Sequence, residues 1–146
     1  MRHFLVLAAT AVLAAAFVGA ATADQVYHTE RLKLNGVSGA PGGGMVVNIH
    51  PNGPNVYAHE IYTLRHGVPG TYQVSLNVFP TSLDCTGATA VLPTAMLTTN
   101  ATGNGRADVK FTPEDVASLR HMTFSISWTV AGPATYVTAC TVVTLD

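Results

Sequence analysis

The chain has 146 residues, a formal net charge of −1 and only 10% charged residues, with no block of either sign. That balance excludes an electrostatic footprint for nucleic acid and a polybasic patch for anionic membrane. Two cysteines limit any disulfide framework to one bond.

The N-terminus opens with the short basic stretch Met1-Arg2-His3, followed by an uncharged run from Phe4 to Ala23 rich in Ala, Val and Leu. The run ends Ala21-Thr22-Ala23, a small-x-small cleavage pattern, and the first charge after it is Asp24. These parts, in this order, predict a secretory signal peptide over residues 1–23, and hence export by the general secretory route. The run is long enough for a bilayer span, but the small-residue site and the lack of a basic stop-transfer flank favour cleavage. No Cys follows for lipid attachment. Residues 24–146 are then the mature part, one domain of roughly 120 residues with one core. Without Arg2 it carries six Lys or Arg against eight Asp or Glu, a formal net charge of −2. It is expected to be secreted, monomeric and without a membrane span.

The mature part is rich in Thr, Val, Gly and Asn, a composition suited to strands and turns. In chain order, Val26 to Leu34 reads as a strand ending at Asn35-Gly36, and Gly44 to His50 as one closed by Pro51-Asn52-Gly53-Pro54. The glycine-rich segment between them, Gly36 to Gly44, reads as a loop or bulge; it lacks the spacing of a phosphate-cradling motif. Val56 to Leu64 is the next strand. Tyr72, Val74, Leu76 and Val78 then alternate cleanly inward before Pro80. Thr89 to Leu97 leads to a turn, and Arg106 to Phe111 follows the hairpin pair Asn104-Gly105. Thr112-Pro113-Glu114-Asp115 carries the cap and first-turn residues of a short helix, which Val116 and Leu119 would pin to the core. Met122, Phe124, Ile126, Trp128 and Val130 form the inner face of a strand whose outer face bears Ser125 and Ser127, and Tyr136 to Leu145 closes the chain. The predicted fold is all-β: an antiparallel two-sheet β-sandwich of about seven to nine strands.

In an exported chain Cys85 and Cys140 are most simply one disulfide. His59-Glu60 resembles the start of a zinc-protease motif, but position 63 is Thr where the second His belongs. A copper or zinc site drawing on His50, His59 and His66 is the metal-binding alternative; it needs a bulge, because His59 and His66 differ in strand parity. Ser38, in Gly36-Val37-Ser38-Gly39, lacks the spacing of a nucleophile elbow. Adjacent Glu114 and Asp115 are explained by a helix N-terminus. No catalytic residues and no cofactor are therefore assigned. Tyr57 and Tyr62 differ in parity, so one points inward, and Trp128 reads as core. Asn100-Ala101-Thr102 fits a glycosylation sequon and also marks a polar hairpin tip.

The order Cys85, Trp128, Cys140 in an all-β chain resembles the immunoglobulin pattern, with two departures. The Trp lies shortly before the second Cys, and position 138 is Thr where that family has Tyr. This implies an immunoglobulin-like architecture outside the true family. The Ala-rich leader, Leu97-Thr98-Thr99-Asn100 with Gly103-Asn104-Gly105, and Tyr136-Val137-Thr138-Ala139-Cys140 resemble small exported β-sandwich proteins of Gram-positive actinobacteria. The resemblance implies a compartment and a fold rather than a reaction. The expected function is that of a non-enzymatic binding or structural module whose partner is an extracellular protein or cell-surface ligand. A histidine-based metal binder and a secreted hydrolase are the alternatives.

Overall fold

The computed structural model describes residues 27–51 and 57–145. The predicted signal peptide and the Asn52-Gly53-Pro54 turn lie outside the described residues. Among the described residues there are nine strands: β1 (Tyr27–Gly36), β2 (Gly43–Pro51), β3 (Ala58–Arg65), β4 (Thr71–Phe79), β5 (Ala90–Thr98), β6 (Gly105–Phe111), β7 (Met122–Ala131), β8 (Thr135–Val137) and β9 (Thr141–Leu145). All pairings are antiparallel. They run through a single sheet in the order β5-β4-β7-β8-β1-β2-β3-β6, with β9 also on β7. The hydrogen-bonded ladder is thus one sheet curling almost into a barrel, where two separate sheets were predicted. β7 makes the difference: it pairs with β4 on one side and hands over to β8 and β9 on the other.

The seam of the barrel lies between β5 and β6. Among the described residues they share one bridge, Thr99 to Gly105, at their hairpin end. Both strands read as edges. β5 carries Pro93, which has no N–H for a further ladder; β6 points Arg106, Asp108 and Lys110 to solvent. The β4–β5 register slips at Val74/Ser75, where Val74 faces Ala95 and Ser75 faces Pro93. Thr94 is the residue left over in this bulge.

Inside, Val46, Tyr62, Leu64, Tyr72, Val74, Leu97, Trp128, Val130 and Tyr136 are fully buried. Period-two alternation places most of them, as the sequence predicts for β4 and β7. One end of the barrel is closed by two tyrosines packed edge to face at 5.9 Å. The Tyr136 hydroxyl donates to the Pro41 carbonyl at 2.8 Å, and the Tyr72 hydroxyl donates to the Val68 carbonyl. Gly103 completes this end: its φ is +73°, and a Cβ there would lie 1.9 Å from the Gly67 oxygen. Only glycine allows that approach.

Two local expectations change. The helix predicted from Thr112 is a turn ending in a 3-10 segment at Ala117–Leu119. The Thr112 cap does form: its Oγ1 accepts from the Asp115 N–H at 3.4 Å, its own N–H donates to Asp115 Oδ2 at 2.8 Å, and Val116 is buried. The turn ends at Arg120, whose backbone is already extended at φ −62° and ψ 143°. Ser125, expected on an open outer face, is fully buried. The β4–β5 loop lies over it: Ser125 N–H donates to the Ser82 carbonyl at 3.0 Å, and the Cys85 N–H donates to Ser125 Oγ at 3.0 Å.

The Cys85–Cys140 disulfide locks this loop down, with Cα atoms 5.8 Å apart and a sequence separation of 55. Cys140 sits where the predicted last strand breaks into β8 and β9. There Thr138 exchanges bonds with Trp128 instead of a regular ladder, accepting from its N–H at 2.9 Å and donating its own N–H to the Trp128 carbonyl at 3.0 Å. Closing a loop of this length stabilises the fold by roughly 4 kcal/mol in the chain-entropy model. Reduction, or the double substitution of Cys85 and Cys140 by Ala, is therefore expected to lower Tm by roughly 10–20 °C. Differential scanning calorimetry with and without reductant checks this, and an unchanged transition contradicts it.

Candidate functional site

A cavity of about 450 Å³ opens at the end of the barrel opposite the two tyrosines. Its floor and far wall are apolar: Leu76 and Val78 of β4, Phe124 and Ile126 of β7, and Val143 and Leu145 of β9. Leu92, Pro93 and Thr94 of β5 and Val109 and Phe111 of β6 line it where the seam is unladdered, and Val116 and Leu119 border it from the 3-10 turn. The bulge in β5 and the turn after β6 thus both shape its mouth.

The remaining wall is polar and comes from β2 and β3. Ala58, Glu60, Tyr62 and Leu64 share the inner face of β3, and Val46, Asn48 and His50 that of β2. Asn48 and Glu60 stand directly opposite each other in the β2–β3 register, and both line the cavity. Glu60 is only 2% exposed. Its Oε2 accepts from Trp128 Nε1 at 2.9 Å, across the core, and from the Tyr62 hydroxyl two residues along its own strand. The Tyr62 hydroxyl is also bonded to Thr94 Oγ1 at 2.8 Å, so the bulged residue of β5 joins the network.

A carboxylate removed from water favours its neutral form. Burial raises the Glu60 carboxyl to about 7, while the bonds from Tyr62 and Trp128 pull it back towards the charged form. Burial, followed by the Glu60 charge and hydrogen bond, pushes the Tyr62 phenol upward. Among the described residues no salt bridge reaches Glu60. Lys110 lines the cavity, but it is solvent-exposed and pairs in register with His59.

Behind Asn48 the polar wall continues to Glu30 of β1. Asn48 Nδ2 donates to Glu30 Oε2 at 2.9 Å, and His50 Nε2 lies 3.1 Å from Glu30 Oε1. His28 stacks on His50 with ring centroids 5.4 Å apart. Because a carboxylate only accepts, Glu30 fixes the amide of Asn48 with Nδ2 towards itself. The buried Asn48 Oδ1 and His50 Nδ1 are left without hydrogen-bond partners among the described residues.

The three histidines considered for a metal site are not gathered. His50 is buried on the inner face of β2; His59 is on the outer face of β3, with Nε2 3.2 Å from Asp108 Oδ2. His66 lies beyond the end of β3, exposed and with a left-handed backbone, φ 52°. Among the described residues no group of three or more His, Cys, Asp or Glu side chains is placed to hold a metal ion. Glu60 entered the sequence reading only as part of His59-Glu60. Its real signal is parity: a Glu in step with Ala58, Tyr62 and Leu64 is a charged residue on an apolar strand face.

Comparison with protein-family models, with curated proteins and with solved structures gives no match.

The Glu60 shift has a defined sign for stability. A carboxyl raised from 4.5 to about 7 on folding makes a contribution that is full below pH 4.5 and is lost as pH rises through 7. Across that window the wild-type protein is expected to lose roughly 3 kcal/mol through this group. Glu60→Gln keeps an acceptor for Trp128 and Tyr62 without the charge, so it should flatten the dependence and match or exceed wild-type stability at pH 8. Urea denaturation at pH 5 and pH 8 measures the difference; equal slopes in both proteins contradict the assignment.

Proposed function

We propose that this chain is an exported, non-enzymatic binding protein, and that its ligand is a small molecule with an apolar body held in the cavity beneath the β5–β6 seam. The observation carrying this reading is the cavity itself: about 450 Å³, open to solvent, lined at its base by core side chains of β4, β7 and β9 and on one wall by a buried carboxyl. A mostly apolar pocket with a few convergent polar groups, one of them strongly shifted in pKa, is the general form of a ligand site. Binding is favoured over hydrolysis by the chemistry of the polar wall. Thr94, the hydroxyl residue lining the cavity, is engaged with Tyr62, and the partners of Glu60 are the donors Tyr62 and Trp128 rather than a nucleophile. Export is supported by the sequence of residues 1–23 and is compatible with the disulfide. The two-layered, immunoglobulin-like reading of the fold belongs to the same proposal. In it, β5-β4-β7 faces β1-β2-β3-β6 across the contact between Trp128 and Glu60.

Hexanol is a suitable neutral probe, and Trp128, the single tryptophan, reports on the site through its bond to Glu60. A saturable fluorescence change is expected with Kd on the order of 0.1–1 mM, reasonable for so few atoms. Val116→Phe directs its added volume into the cavity and should weaken binding at least tenfold, with Tm moving by less than about 5 °C. Absence of saturable binding to the wild-type protein would sink the reading.

A further inference from the structure

The polar wall of the cavity has an imbalance that narrows its ligand. The donors bonded to the two carboxylates are accounted for: Trp128 Nε1 and the Tyr62 hydroxyl go to Glu60 Oε2, and Asn48 Nδ2 goes to Glu30. An acceptor is left over. Asn48 is 5% exposed and its Oδ1 has no partner. The two bonds from Tyr62 and Trp128 both fall on Glu60 Oε2. Asn48 and Glu60 are cross-strand neighbours on one face, so their side chains start within about 4.5–5.5 Å of each other.

Buried acceptors without donors are costly, and a buried carboxylate without a countercharge more so. A ligand that brings donors and positive charge relieves both. We infer that the cavity selects molecules whose apolar body ends in a primary amine, with the ammonium held between the Glu60 carboxylate and Asn48 Oδ1. The inference rests on the binding reading above and adds the chemistry of the head group. An ammonium carries three donors and no acceptor, matching the carboxylate and the free amide oxygen that face each other on this wall. A carboxylate head would set like charges together in a low-dielectric site, which disfavours it. A hydroxyl head brings a single donor and no charge. The charged groups around the site leave the position open. Glu30 is engaged with Asn48 and His50, Asp115 with the backbone and hydroxyl of Thr112, and Lys110 is solvent-exposed on the edge strand.

Three probes with one skeleton separate the possibilities: hexylamine, hexanol and hexanoate, titrated calorimetrically into the full-length mature protein at pH 8.5. Glu60, with its pKa near 7, is then ionised, hexylamine is an ammonium and hexanoate is charged. Hexylamine is expected to bind at least tenfold more tightly than hexanol, and hexanoate to bind most weakly. Glu60→Gln should reduce hexylamine affinity at least tenfold and remove most of its advantage over hexanol; Asn48→Leu should narrow that advantage less. Equal affinities, tightest binding by hexanoate, or an amine preference untouched by Glu60→Gln overturn the head-group inference while the cavity reading survives. No binding by any of the three overturns both. If a variant fails to fold, the wild-type series alone decides.

Discussion

The hydrogen bond from Trp128 Nε1 to Glu60 Oε2 is the contact around which this barrel is organised. It joins residues 68 apart in sequence, on strands that are not neighbours in the sheet, and it spans the core at 2.9 Å. Trp128 is the largest fully buried side chain, and its indole N–H needs a partner wherever it is buried. Glu60 supplies that partner and takes a second bond from Tyr62, which in turn engages Thr94 on β5. One carboxyl thereby ties β3, β5 and β7 together across a seam that backbone pairing leaves mostly open. Removing either donor or acceptor would strand a buried polar group, at a cost of about 1–3 kcal/mol for each group left unpaired.

The two ends of the barrel are built differently for a physical reason. At the closed end, backbone segments approach closely enough to bond directly, as between Gly67 N–H and the Gly103 carbonyl at 3.0 Å, and tyrosine hydroxyls satisfy the remaining carbonyls. At the other end, β5, with its bulge and Pro93, shares no ladder with β6 beyond the Thr99–Gly105 bridge among the described residues, and the chain after β6 passes through the 3-10 turn at Ala117–Leu119. Apolar lining without a filling side chain leaves an open cavity there, with the Glu60 carboxyl buried at its wall.

The disulfide acts on another part of the same architecture. It holds the β4–β5 loop against β7 where β8 gives way to β9, and so it stabilises the strand that carries Trp128. The loop also buries Ser125, whose hydroxyl accepts from Cys85 N–H. The covalent link and the Trp128–Glu60 bond therefore grip β7 from its outer and inner faces.

Much of this was legible in one dimension. Alternation of apolar and polar residues along Tyr72–Val78 and Met122–Val130 determined which side chains face the core, because a strand's side chains alternate by geometry whatever it pairs with. Asn104-Gly105 marked its hairpin, and the pairing of two cysteines followed from their number. The same parity rule, applied to Ala58-Glu60-Tyr62-Leu64, already placed a carboxyl among apolar neighbours, although the residues that would receive it could not be read from β3 alone. Tertiary structure decided the rest. The single hydrogen-bonded sheet that curls nearly into a barrel, Asn48 beside Glu60, Trp128 opposite them, and the separation of His50 from His59 all depend on which strands become neighbours. Strand order is set by long-range pairing energies summed over the whole chain, and no local pattern of residues encodes it.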